Sequence, residues 1–243
     1  MDVYGYLDFH SHILPGVDDG SKSIEMTEQM LELAYAQGVR TMVATPHNYP
    51  GDKKQNNSQM KQLYKQVAEL AKKQHPDMKI LLGNEVFYRE SMLEEIKEQH
   101  ILTMGDSRYL LVEFSPHEHY ARIYQGIKEL IDAGYYPVIA HIERVHCLFD
   151  DEKNISELVE MGCYMQANCE DFMGGFLDRS AFKLRSLLQS GWIHFLGSDC
   201  HNITSRPPLM SDCIERLYKK MPKDVVDRVI YDNQKRFIEK KYI

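Results

Sequence analysis

The sequence predicts an α/β protein built on a parallel sheet, either closed into a barrel or open and doubly wound. Three observations lead there. Short apolar runs recur along the 243 residues, namely Tyr6–Phe9, Thr41–Ala44, Ile80–Leu82, Tyr109–Phe114, Pro137–Ala140, Cys163–Ala167 and Trp192–Leu196. Their hydrophobicity is continuous rather than alternating, as expected of strands buried on both faces. Amphipathic stretches separate them, so β and α alternate about seven times, the order that produces parallel sheets.

Each element has a local reason. Thr27, Met30, Leu31 and Ala34 fall at i, i+3, i+4 and i+7, and Gly38 supplies a helix stop. Met60–Lys73, Tyr120–Ala133 and Ala181–Ser190 read the same way, and two or three more helices are expected after residue 208. Gly134, Gly162 and Gly191 each precede a strand, where the αβ turn favours positive φ. No linker or internal repeat divides the chain, so residues 1–243 are expected to be one domain, with the polar stretch Pro50–Gln59 as its most mobile loop.

Composition excludes several functions. A net charge of −7 argues against a nucleic-acid binder. No apolar run approaches the roughly 20 residues that span a bilayer, so no membrane insertion is expected. The N-terminus has neither a basic start nor an apolar signal core. Five cysteines (Cys147, Cys163, Cys169, Cys200, Cys213) without a CxxC pair fit a reducing, cytoplasmic location.

The polar residues carry the functional information. His10 and His12 end the first strand, His47 follows the second, Glu85 the third, and Glu113 ends the fourth. His141 closes the fifth, and Asp199 with His201 closes the last. Metal-capable groups thus terminate six of seven strands on the C-terminal side, where parallel barrels build active sites. Histidine with carboxylate is a ligand set for Zn, Mn or Fe. The two imidazoles of His10-Ser11-His12 have period-2 spacing and should point the same way, and a shared carboxylate such as Glu85 could bridge two ions.

Each position alone has a plain alternative: a solvated histidine, or an ion-paired Glu113. The common register is what those alternatives leave unexplained. His75, His100, His117, His119 and His146 lack that placement and read as surface or packing residues, and His194 as a hydrogen-bonded core histidine. Arg144 lies three residues beyond His141, and Arg206 five beyond His201. Guanidinium forks match phosphate oxygens, which makes a phosphate ester the leading substrate.

With these residues assembled, the chain resembles the PHP-domain (polymerase and histidinol phosphatase) proteins, in particular the bacterial manganese-dependent protein-tyrosine phosphatases of capsular and exopolysaccharide operons. The segments DFHSHILPGVDDGSKS, GVRTMVATPH, LLGNEV, LTMGDSRYLLVEF, GYYPVIAHIERV, MGCYMQAN and FLGSDCHNITSRPP carry the likeness from residue 8 to 208. The resemblance implies a distorted, TIM-like (β/α)7 barrel and two or three divalent ions, Mn²⁺ first, with Fe or Zn possible. It places His10, His12, Glu85 and Asp199 around one ion and Glu85, Glu113 and His141 around a second. His47, His201 and Asp18 or Asp19, with Asp19 preferred, would hold the third. Arg144 and Arg206 would bind the phosphoryl group, and the partner would be a phosphorylated tyrosine autokinase.

The expected reaction is attack by a metal-bridging hydroxide on phosphorus. Phenolate, with a pKa of about 10, leaves without a strong acid, and Asp199 or His201 are candidates for proton transfer. Three enzymatic rivals compete with this reading, besides a non-enzymatic metal-binding regulator. Cys200 to Arg206 is a C-x5-R string, the pattern of thiol-dependent phosphatases, but its bulky intervening residues lack glycine. An amidohydrolase would place a lysine at the fourth strand, where Glu113 stands. A histidinol-phosphate phosphatase is the nearest alternative, disfavoured by VDDG and SDCHN.

Overall fold

The computed structural model describes residues 5–51, 57–175 and 177–243. Among them nine strands run parallel to every neighbour: β1 (Tyr6–Ser11), β2 (Val39–Ala44), β3 (His47–Asn48), β4 (Lys79–Leu82), β5 (Glu85–Phe87), β6 (Tyr109–Glu113), β7 (Tyr136–Ile139), β8 (Tyr164–Asn168) and β9 (Phe195–Gly197). They form one sheet of order β1-β2-β4 and another of order β3-β5-β6-β7-β8-β9. β3 continues β2 past Thr45-Pro46, and β5 continues β4 past Gly83-Asn84, so the nine strands make seven staves. A Ser11–Cys200 bridge joins the last stave to the first, with the Asp199 N–H donating to the His10 carbonyl at 2.8 Å. The result is the distorted (β/α)7 barrel the resemblance implied.

The helices are α1 (Ile24–Ala36), α2 (Asn57–Gln74), α3 (Met92–Lys97), α4 (Tyr120–Asp132), α5 (His146–Phe149), α6 (Glu152–Met161), α7 (Arg179–Gln189), α8 (Ser211–Lys220), α9 (Lys223–Asp227) and α10 (Asn233–Ile238). Asp151 and Asp178 accept from the first-turn amides of α6 and α7, and Gly162 ends α6 at φ 107°. Of the expected mobile loop, residues 52–56 lie outside the described residues; Pro50 and Gly51 form a turn, and Asn57–Gln59 already belong to α2.

Two apolar layers hold the barrel. The larger packs helices on the outer face of the sheet; the smaller fills the interior with Leu7, Phe9, Val43, Tyr109, Leu111, Val138, Tyr164 and Phe195. Phe237 of α10 closes the base, packed edge-on to Phe9 at 5.0 Å. The base is also tied by the Tyr109 hydroxyl, which donates to the Lys241 carbonyl at 2.6 Å. With these residues packed across its floor, the barrel presents its site at the C-terminal ends of its strands.

The last strand begins later than expected, at Phe195 rather than Trp192. Gly191 is at φ 82° and the Trp192 N–H bonds back to the Leu187 carbonyl at 3.0 Å, so the chain is still leaving α7 there. His194 is a core histidine, as expected. Its Nδ1 accepts from the Met165 N–H at 3.1 Å, which requires a neutral ring. Burial, then the charge of Arg228, push its pKa down to about 4 from 6.5. The folded protein therefore resists a proton that the unfolded chain takes up. Stability contributed by neutral His194 is complete above pH 6.5 and is lost as the pH falls to about 4, by roughly 3 kcal/mol. Urea titrations of His194→Asn should show a flatter acid limb over that window; an unchanged limb would assign the acid sensitivity elsewhere.

Candidate metal centre

Local backbone irregularities aim the site residues. Leu7 and Phe9 belong to the interior layer, so an unbroken pleat would turn His10 and His12 away from it. The β1–β2 register shifts between Asp8 and Ser11, and this irregularity re-aims both imidazoles into the barrel mouth. His141 (φ 32°) and Asp199 (φ 51°) occupy the left-handed region that side chains other than glycine avoid. Gly197 lets His10 come close: a Cβ there would lie 2.7 Å from the His10 Cβ.

Four imidazoles converge on Glu85, and Glu113, Asp199, Asp19 and His201 stand around them. Its Oε2 lies 3.2 Å from His10 Nε2, 3.2 Å from His12 Nε2 and 2.9 Å from His47 Nδ1. Its Oε1 lies 2.8 Å from His141 Nε2, and Glu113 stands 3.7 Å from the same nitrogen. Asp199 Oδ1 is 3.6 and 3.5 Å from His10 and His12 Nε2. Asp19 Oδ1 is 3.3 Å from both His47 Nε2 and His201 Nε2. Donor atoms gather in three groups: His10, His12 and Glu85; His47, Glu85 and Glu113; His12, Asp19, His47 and His201. His47 and His12 thus each border two groups, where the resemblance gave each to one. Of the aspartate pair, Asp19 faces the cage, whereas Asp18 stands behind His12.

The hydrogen bonds around the cage decide which nitrogens face inward. Gln166 Oε1 accepts the His141 N–H at 2.8 Å, which orients its amide, and the same oxygen lies 3.2 Å from His10 Nδ1. His12 Nδ1 donates to Asp18 Oδ2 at 2.8 Å, and His201 Nδ1 to the Asp199 carbonyl at 2.9 Å. Each Nδ1 must therefore carry the proton, leaving an Nε2 lone pair aimed at the centre. Two such lone pairs, on His10 and His12, face each other at 3.1 Å. Without a cation between them they repel. Glu85 Oε2 is likewise buried with no hydrogen bond. This donor set fits divalent cations.

Electrostatics agree. Burial opposes charge on His10, but Glu85 and Asp199 raise its pKa; for His12, Asp18, Asp199 and Glu85 outweigh burial by more. Burial also opposes ionisation of Glu85, yet His10, His12 and His141 hold it well below the usual carboxylate range. Asp18 is brought to about 2, mainly by His12 against the cost of burial. Protons thus favour the place where cations would sit, and the two compete.

Arg144 and Arg206 reach the cage from the loops after β7 and β9. Their Nη2 atoms lie 3.0 and 2.6 Å from Asp199 Oδ2, which also accepts from Asn168 Nδ2 at 3.1 Å. Both guanidiniums stay partly exposed, at 40% and 32%. Cys200 is fully buried, and burial, then Asp8, raise its thiol well above the usual value. A buried, protonated thiol is inert.

Sequence reasoning missed Gln166, Asn168 and Asp8. Gln166 and Asn168 follow Tyr164 at period two on β8 and were visible as polar residues on an inward row. Asp8 accepts from the Ser198 N–H at 2.8 Å and from its hydroxyl at 2.5 Å, clasping β1 to the end of β9; burial lifts its pKa to about 6.

A closed parallel barrel with a histidine and carboxylate cage at its open end defines an α/β-barrel metal hydrolase. The family model described as "Capsular polysaccharide synthesis, CpsB/CapC" matches residues 6–239. The chain belongs to that family. Tyrosine-protein phosphatase CpsB of Streptococcus pneumoniae is 37% identical over 237 residues, covering 96% of this chain and 98% of that protein. Tyrosine-protein phosphatase YwqE of Bacillus subtilis is 32% identical over 202 residues, covering 82% and 79%. Among solved structures, one described as "Crystal structures of YwqE from Bacillus subtilis and CpsB from Streptococcus pneumoniae, unique metal-dependent tyrosine phosphatases" matches with a TM-score of 0.87 at 28% identity, covering 98% and 96%. Histidinol phosphate phosphatase of Lactococcus lactis shares the fold at a TM-score of 0.60 and 15% identity, covering 89% and 93%.

Proposed function

We propose that this chain is a metal-dependent protein-tyrosine phosphatase of capsule or exopolysaccharide synthesis, acting on a phosphorylated tyrosine autokinase in the cytoplasm as one domain. The carrying observation is the juxtaposition of inward Nε2 lone pairs, a bridging Glu85 and two guanidiniums within one barrel mouth. His10, His12, Asp19, His47, Glu85, Glu113, His141, Asp199 and His201 would hold two or three divalent ions. Manganese is the ion we assign, following the family resemblance: the carboxylates suit it, while the imidazoles suit Fe and Zn. Such ions, when bound, supply positive charge and make water a nucleophile at neutral pH.

The chain's own groups do the rest. Arg144 and Arg206 converge on one carboxylate oxygen, a geometry equally suited to two oxygens of a phosphoryl group, and they stabilise charge developing there. Burial opposes ionisation of Asp199, but His10 and His12 hold it ionised, so it orients the arginines and has no proton to supply. Burial, His12 and Arg206 lower His201 to about 4, which keeps its Nε2 an acceptor at pH 7. Free cysteines throughout suit a reducing compartment. No helix among the described residues is long and apolar enough to cross a membrane.

The test is a comparison of rates on phosphotyrosine, phosphoserine and histidinol phosphate, using wild type and Cys200→Ser. Preference for phosphotyrosine with most activity kept in the variant supports the reading. Preference for histidinol phosphate would move the substrate, and loss of activity in a folded Cys200→Ser would revive a thiol mechanism.

A further inference from the structure

Two aromatic rings at the mouth have no part in the core. β3 and β5 pair as His47↔Glu85 and Asn48↔Val86, and Phe87 pairs with Glu113 of β6. Tyr49 and Phe87 therefore stand two residues beyond His47 and Glu85 on the same face, about 6–7 Å further toward solvent. Their centroids are 5.9 Å apart, and the Tyr49 ring lies 5.7 Å from that of His47. Tyr49 is 42% exposed, Phe87 half-buried, and neither belongs to the apolar clusters of the described residues. The Arg89 guanidinium lies 5.6 Å from the Phe87 centroid and covers one face of that ring.

Resting on the phosphatase reading above, we infer that Tyr49 and Phe87 form an aromatic shelf that receives the substrate's phenyl ring and selects aryl over alkyl phosphomonoesters. The arginines approach from the β7 and β9 loops, on the opposite side of the mouth from β3 and β5. A monoester whose phosphoryl oxygens face the cage and those guanidiniums has one remaining arm, and it leaves over β3 and β5. A flat ring there meets Tyr49 and Phe87 in offset or edge-on contact. The methylene of a phosphoserine is too short to reach across either ring.

Steady-state kinetics on the metal-loaded full chain test this, with a phosphotyrosine peptide and the same peptide carrying phosphoserine. For Tyr49→Ala combined with Phe87→Ala, the aryl-to-alkyl ratio of kcat/KM should fall about tenfold, from two ring contacts, chiefly through a higher KM for the aryl peptide. Tyr49→Phe keeps the ring and should keep the ratio; Tyr49→Ala alone should give an intermediate value and guards against misfolding of the double variant. A folded double variant with the wild-type ratio overturns the shelf while leaving the phosphatase reading intact. Wild type that hydrolyses the phosphoserine peptide as fast as the phosphotyrosine peptide overturns both.

Discussion

Glu85→Gln is expected to lower phosphotyrosine turnover by on the order of 10³-fold or more, with fewer divalent ions retained per chain. Glu85 lies within 3.2 Å of four imidazoles, those of His10, His12, His47 and His141. Glutamine keeps the size and removes the charge. Its amide nitrogen would meet lone pairs at one end and nothing anionic would remain between the donor groups it joins. The stability of the empty protein should change less than its activity, because β5 is held by its ladder to β6 and by Val86 in the core. Metal content and turnover measured on one sample check this; a variant within tenfold of wild type would remove Glu85 from the centre of the account.

Arg144→Ala combined with Arg206→Ala should be the next most damaging change. Removing one preorganised charge donor to a transition state costs about 10²–10³-fold in rate, and both guanidiniums act on one group. Metal content should stay close to wild type, because both residues lie on the far side of Asp199 from the His10 and His12 nitrogens. Lysine substitutions should rescue poorly, since an ammonium lacks the planar fork. Loss of metal with unchanged turnover per bound ion would instead make the arginines mere props for Asp199.

Much of this centre was legible in the chain because a parallel barrel turns order into place. Once His10, His47, Glu85, Glu113, His141 and Asp199 were seen to end successive apolar runs, their convergence followed from topology. Other features depended on backbone detail that spacing does not encode. The register slip after Asp8 turns His10 and His12 inward, and nothing in DFHSH announces it. Asp18 and Asp19 differ only in which side of His12 they reach, a consequence of the turn before Gly20. The breaks at Thr45-Pro46 and Gly83-Asn84 split two staves into four strands, and the short helices α3 and α5 carry too few residues to show a period. Gln166 and Asn168 were overlooked for another reason: they are neutral amides, and their effect lies in the hydrogen bonds that fix His10, His141 and Asp199.

The central claim is that phosphate-ester hydrolysis here needs ions held by this cage. The most direct measurement is elemental analysis together with turnover of phosphotyrosine and p-nitrophenyl phosphate, before and after chelation and after readdition of Mn²⁺. The account predicts two or three divalent ions per chain, turnover that vanishes with their removal, and its return with Mn²⁺. Full turnover by protein shown to be free of metal would contradict it.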